Sequence, residues 1–203
     1  VTLDLTGRIP TPEQVVAFVN DPSTDKRARL VNQLLGTSQW VDKWTVWLAD
    51  LYHNNATNDL GASRFQAGVA AFNEYIRRSL QTNKPYNVMA KEMIAGTGDN
   101  SYSFDQGYLN FLVGGVMGGG PIQDVFDQQT AVVAEKFLGL AHVNCLLCHS
   151  GRGHLDSLSL WGYYKTRTEA YGMASFMSHT WTAPVALDGT ANGQPYYWTL
   201  VNN

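Results

Sequence analysis

The alternation of apolar and polar positions predicts helices along most of the chain. "TPEQVVAFVN" (11–20) opens with Thr11 as a cap, Pro12 in the first turn and Gln14 three residues after Thr11, the pattern of a capping box. In "STDKRARLVNQLLG" (23–36), Leu30, Val31, Leu34 and Leu35 fall on one side and Gly36 ends the run. "SQWVDKWTVWLADLYH" (38–53) repeats Trp40, Val41, Trp44, Trp47, Leu48 and Leu51 at three-and-four spacing, a stripe expected to lie in the core. A fourth helix is expected over 68–80, broken at "TNKPY", and a short fifth over 87–96, ending at Gly96.

Residues 97–121, including "GGVMGGGP", lack helical periodicity and read as irregular. That glycine run lacks the Gly-Lys-Ser/Thr ending of a phosphate loop, which leaves a mobile or close-packed loop. A sixth helix is expected over about 122–141, with Ile122, Phe126, Val133, Phe137 and Leu140 on one side, and a seventh around 163–178. "VTLDL" (1–5) alternates and reads as a short strand. The tail "APVALDGTANGQPYYWTLV" combines an Asp-Gly turn with β-favouring residues, as in a hairpin or an extended segment. No repeat and no clean linker interrupts the chain. The expected fold class is all-α: one mostly helical domain over 1–180, followed by an extended tail, or the start of a further segment, over 181–203.

Composition narrows the function. With 203 residues, 44% hydrophobic and 15% charged, the chain can bury a real core and is not of disordered type. The net charge is −3, and "DKRAR" (25–29) is the densest basic patch, so nucleic-acid binding is not expected. No window approaches the roughly 18 apolar residues of a membrane span. Six Trp, ten Tyr and eight Phe suit ordinary packing, or the walls around a flat apolar cofactor.

The chemistry concentrates in "HVNCLLCHSGRGH" (142–154), which holds both cysteines and three of the five histidines. Cys145-X-X-Cys148-His149 is the attachment pattern of c-type haem. Two thiols add across the porphyrin vinyl groups, and the next residue presents an imidazole to the iron. Two rivals remain. His142, Cys145, Cys148 and His154 supply a two-nitrogen, two-sulfur set for tetrahedral zinc. A thiol–disulfide pair is the other, although a helix, rather than a strand, precedes the motif. A structural disulfide is disfavoured by the short loop.

Three longer segments carry a resemblance: "VTLDLTGRIPTPEQVVAFVNDPSTDKRARLVNQLL", "FNEYIRRSLQTNKPYNVMAKEMIAG" and "FLGLAHVNCLLCHSGRGHLD". In this order, over roughly residues 1–160, they resemble the planctomycete- and acidobacterial-type cytochrome c-like domain family. The resemblance implies a covalent haem c with its iron, export to the periplasm or exterior, and membership of longer chains. It carries over Cys145, Cys148 and His149, with His154 as a motif position of unknown role.

His149 is the expected proximal ligand. For the distal side, Met173 in "YGMASFMSHTW" is the candidate and His53 the alternative; Met177, His179 and an open site complete the set. His154, five residues after His149, is expected to stay on the proximal side or to meet a propionate. Arg152 and Arg167 are candidate propionate partners. The expected function is single-electron transfer outside the cytoplasm, with a redox protein or a neighbouring haem subunit as partner. The alternatives are a haem enzyme with an open axial position, acting on peroxide or a small gas, and a structural or adhesive subunit stapled by haem.

Overall fold

A computed structural model describes residues 1–56, 64–116, 120–187 and 196–202. The molecule is mostly helical and ends in a two-stranded antiparallel hairpin. The first five residues do not form the expected strand. They form helix α1 (Thr2–Thr6), closed by Gly7 in the left-handed region at φ 68°. Thr6 Oγ1 donates to Thr2 O at 2.8 Å, and Lys43 Nζ reaches over to the carbonyls of Leu3 and Asp4. An alternation this short fits one helical turn as well as a strand, and these caps decide for the turn.

Helix α2 (Pro12–Asn20) has the expected capping box: Gln14 N–H donates to Thr11 Oγ1, and Thr11 N–H donates to Gln14 Oε1 at 2.9 Å. Lys26 Nζ donates to the carbonyls of Phe18, Val19 and Asp21, closing α2 at the start of α3 (Lys26–Leu35). Neither helix has a fully buried residue.

On α4 (Ser38–Leu51) the buried positions are Val41, Thr45 and Leu48, continued by Tyr52 just beyond its end. The tryptophans lie one stripe to the side. Trp40, Trp44 and Trp47 follow one another along the flank, the first pair tilted and the second edge-to-face, with centroids 6.4 and 5.4 Å apart, and Trp47 is 51% exposed. The Trp-rich stripe is therefore core only in part. Its spacing fits two adjacent faces, and the smaller side chains take the one against α5.

Helix α5 (Phe65–Gln81) is the centre of the main core, burying Phe72, Tyr75 and Ile76. Helix α6 (Tyr86–Ala95) adds Met89 and Met93. The stretch expected to be irregular supplies the core's most buried layer. A 3-10 helix (Phe104–Leu109) runs into α7 (Asn110–Val113), whose four residues are all buried. Gly107 makes this possible, because a Cβ there would lie 2.9 Å from Tyr75 Cβ and closer still to the Ala71 carbonyl. Glycine spacing thus marks close packing at 107–115, while residues 117–119 of the glycine run lie outside the described residues.

Helix α8 (Ile122–Leu138) bridges two cores. Ile122, Val125, Val133 and Phe137 face the main one. Ala131 and Ala134 face a smaller one, built with Val143, Leu146, Leu147, Leu155, Ala170 and Ala174. The helix ends three residues earlier than expected, at Gly139 with φ 67°. Beyond it come α9 (Val143–Leu146), α10 (Leu160–Tyr163), α11 (Arg167–Ala174) and a 3-10 turn (Ser175–His179).

Strands β1 (Thr180–Ala186) and β2 (Tyr196–Asn202) pair from Thr180↔Asn202 to Ala186↔Tyr196. Trp198 and Leu200 enter the main core, and Leu200 and Gly98 exchange both backbone hydrogen bonds, at 2.8 and 2.9 Å. The expected Asp188-Gly189 turn lies outside the described residues. Among the described residues, no helix is long and apolar enough to cross a membrane.

Candidate functional site

Gly139 turns the chain out of α8 and delivers it into α9. Helical bonding continues past the last residue of α9: Leu147 N–H donates to Val143 O, and the N–H groups of Cys148 and His149 both donate to Cys145 O, at 3.2 and 3.1 Å. Cys145, Cys148 and His149 therefore stand at positions i, i+3 and i+4 of one helical turn, which is one face. The short apolar spacer serves the packing, since Leu146 and Leu147 are buried in the small core and Cys145 packs against it, while Cys148 and His149 are exposed. Both cysteines are free thiols; Cys145 is half-buried and Cys148 exposed. His149 is exposed, with the His154 ring beside it at 5.2 Å between centroids.

The segment after His149 is fastened down. Gly151 N–H donates to Lys165 O at 2.8 Å, and His154 N–H donates to Gly151 O at 3.0 Å. Gly153, at φ 80°, donates to Asp156 Oδ1 at 2.7 Å. Leu155 is fully buried and plugs the loop into the small core. Gly151 packs directly on the backbone of α10, so no side chain fits there.

Helix α11 closes the other side. Its Thr166/Glu169 capping box is complete, and the Thr166 N–H and hydroxyl together with Lys165 hold the Glu169 carboxyl down to about 2. Arg167 Nε donates to Leu147 O at 3.1 Å, its backbone N–H donates to Ser150 Oγ at 3.2 Å, and its guanidinium lies 4.8 Å above the Tyr171 ring. Asp127, on α8, has its carboxyl pushed above the usual range by burial and by Asp124, with Arg167 opposing.

Of the distal candidates, Met173 lies with the motif. Like Cys145, it packs on the small core, and it lines a cavity of about 210 Å³ with Val143, Leu146, Trp161 and Ala170. Met177 is buried in the 3-10 turn, and His179 is exposed. His53 is engaged elsewhere: its Nε2 is 3.1 Å from Lys136 Nζ, and its carbonyl accepts from Arg64 at 2.5 Å. Arg152 is exposed.

Residues 1–178 match a family model, PSCyt2, described as a protein of unknown function (DUF1549). The chain belongs to that family. No curated protein and no solved structure gives a significant match. The PSCyt2 match runs from α1 into the 3-10 turn before β1, so it takes in the small core, the whole motif segment and the main core apart from what β2 contributes.

The donor set separates two of the cofactor readings. Tetrahedral zinc needs three or four converging ligands. Among the described residues no three His, Cys, Asp or Glu side chains form such a group, so His142, Cys145, Cys148 and His154 are not assembled as one. A c-type haem asks the protein for two thiols and one imidazole close together; here Cys145, half-buried, and Cys148 and His149, both exposed, lie within one helical turn. Sequence reasoning missed Arg167's contact with the motif, the Gly151 contact and the Leu155 plug. The one available signal was the pair of glycines flanking Arg152.

Proposed function

We propose that this chain is an exported electron-transfer domain, with haem c joined to Cys145 and Cys148 and its iron held by His149. The observation that carries the reading is one helical turn that brings together two free thiols, Cys145 half-buried and Cys148 exposed, and the exposed imidazole of His149. When bound, the haem supplies a one-electron couple at its iron. The chain's own residues do the rest. Leu146, Leu147 and Leu155 anchor the motif in the small core, and Met173, which packs on that core from α11, would have to turn outward to serve as the iron's second ligand. A thioether there makes the couple more oxidising than a second imidazole does.

Exposed Leu158, Leu160, Trp161 and Tyr164 lie just downstream of the motif. They suit a durable contact with a redox protein or a neighbouring haem subunit better than a fleeting electrostatic one. The resemblance to exported cytochrome c-like domains supports the periplasm or the cell exterior as the site of this exchange. The test is spectroelectrochemistry of protein made with a haem-attachment system. A reversible one-electron wave, with no spectral change when carbon monoxide is added to the reduced form, is expected. Avid carbon monoxide binding with peroxide turnover would instead make the chain a haem enzyme.

A further inference from the structure

Helix α9 has four residues and cannot hold a fixed shape alone. Its outward continuation, Leu147 to Ser150, carries Cys148 and His149 between two anchor points, and one residue serves both. Arg167 Nε donates to the carbonyl of Leu147, immediately before Cys148, and Arg167 N–H donates to Ser150 Oγ, immediately after His149. Arg167 is itself fixed, as the first residue of a capped helix with its guanidinium on the Tyr171 face.

We propose that Arg167 is a positioning residue, clamping the Cys148–His149 step from both sides and so setting the direction in which His149 presents its imidazole. The part concerning an iron ligand rests on the haem reading above. Its two bonds go to the Leu147 carbonyl and the Ser150 hydroxyl, so Arg167 acts through the residues on either side of Cys148 and His149. This is a different task from pairing with a propionate.

The side-chain bond can be removed with little change of shape. Methionine places a methyl where arginine has Nε, and glutamine places an N–H donor there. Arg167→Met is expected to speed amide hydrogen exchange at Cys148 and His149 about five- to tenfold, the equivalent of one net hydrogen bond. Amides of α5 should stay at the wild-type rate. Arg167→Gln should restore most of the protection. In haem-loaded protein, Arg167→Met should shift the midpoint potential and broaden the low-spin ferric signals, and Arg167→Gln should move both back. Equal behaviour of the two variants, or wild-type exchange in Arg167→Met, overturns the clamp. If intact mass shows no attached haem, the ligand reading falls and the positioning role falls with it. If haem is attached and the exchange arm fails, only the clamp falls.

Discussion

Gly151→Ala tests the fastening of the motif segment most sharply. A Cβ built there would overlap the Gly162 carbonyl oxygen, lie 2.6 Å from the Gly162 carbonyl carbon and 3.1 Å from Tyr163 Cα. All three atoms are backbone, so no rotamer change relieves the overlap. The loop must move away from α10, breaking the Gly151–Lys165 bond and lifting Leu155 out of the small core. A lost buried backbone bond costs about 1–3 kcal/mol, and a partly withdrawn leucine adds about 1–2 kcal/mol, less than full truncation. The sum is about 2–5 kcal/mol, or a Tm lowered by roughly 4–20 °C at this chain length.

Two other glycines serve as internal controls. Gly153→Ala meets no atom within 4 Å but sits at φ 80°, so it should cost about 1–2 kcal/mol of backbone strain. Gly172→Ala, in helix α11 with open space and an ordinary φ, should be neutral or stabilising by up to about 1 kcal/mol. Thermal melts of the three variants give the order directly. A Gly151→Ala protein as stable as Gly172→Ala would refute the close approach of the motif loop to α10.

The remaining predictions concern charge and packing. Asp127 is held above its ordinary value, so its folded form binds a proton more tightly than the unfolded chain does. Asp127→Asn should therefore stabilise at pH 7 and lose that advantage below pH ~4, where the carboxyl is protonated in both states, as denaturant titrations at the two pH values would reveal. Glu169 is the opposite case. With its carboxyl lowered to about 2, its cap on α11 contributes fully above the ordinary glutamate value of 4.5 and fades as pH falls towards 2. Glu169→Gln should thus abolish the acid-side loss of α11 amide protection between those limits. Ile76→Ala, at a fully buried site, should cost about 2–5 kcal/mol without changing any redox signal. Met173→Leu should leave the melt within about 1.5 kcal/mol of wild type and abolish the near-infrared band of methionine ligation.

What the sequence made legible follows from how local each signal was. The α2 capping box rests on four residues of one turn and appears as expected. The α8 face appears in part: Ile122, Val133 and Phe137 meet the main core, whereas Phe126 lines a groove with Tyr171 and Ala174 and Leu140 lies past the helix end against the small core. The terminal hairpin was readable from its β-favouring tail. Residues 97–116 resisted because their helicity is a consequence of contact: Asn110–Val113 has no polar face to set a period, being buried all round. The Trp stripe misled for a related reason, since three-and-four spacing cannot say which of two neighbouring faces meets α5. At the candidate site the motif itself was visible because it is contiguous. Arg167, eighteen residues after His149, was visible only as an arginine, because its task depends on the fold bringing α11 back against the Leu147 carbonyl.

The measurement that bears most directly on the cofactor is the intact mass of the denatured chain, produced with a haem-attachment system, beside a Cys145→Ala/Cys148→Ala control. The account predicts wild-type protein heavier by one haem and red after denaturation, with the control colourless and at polypeptide mass. Wild-type protein at bare polypeptide mass would contradict it.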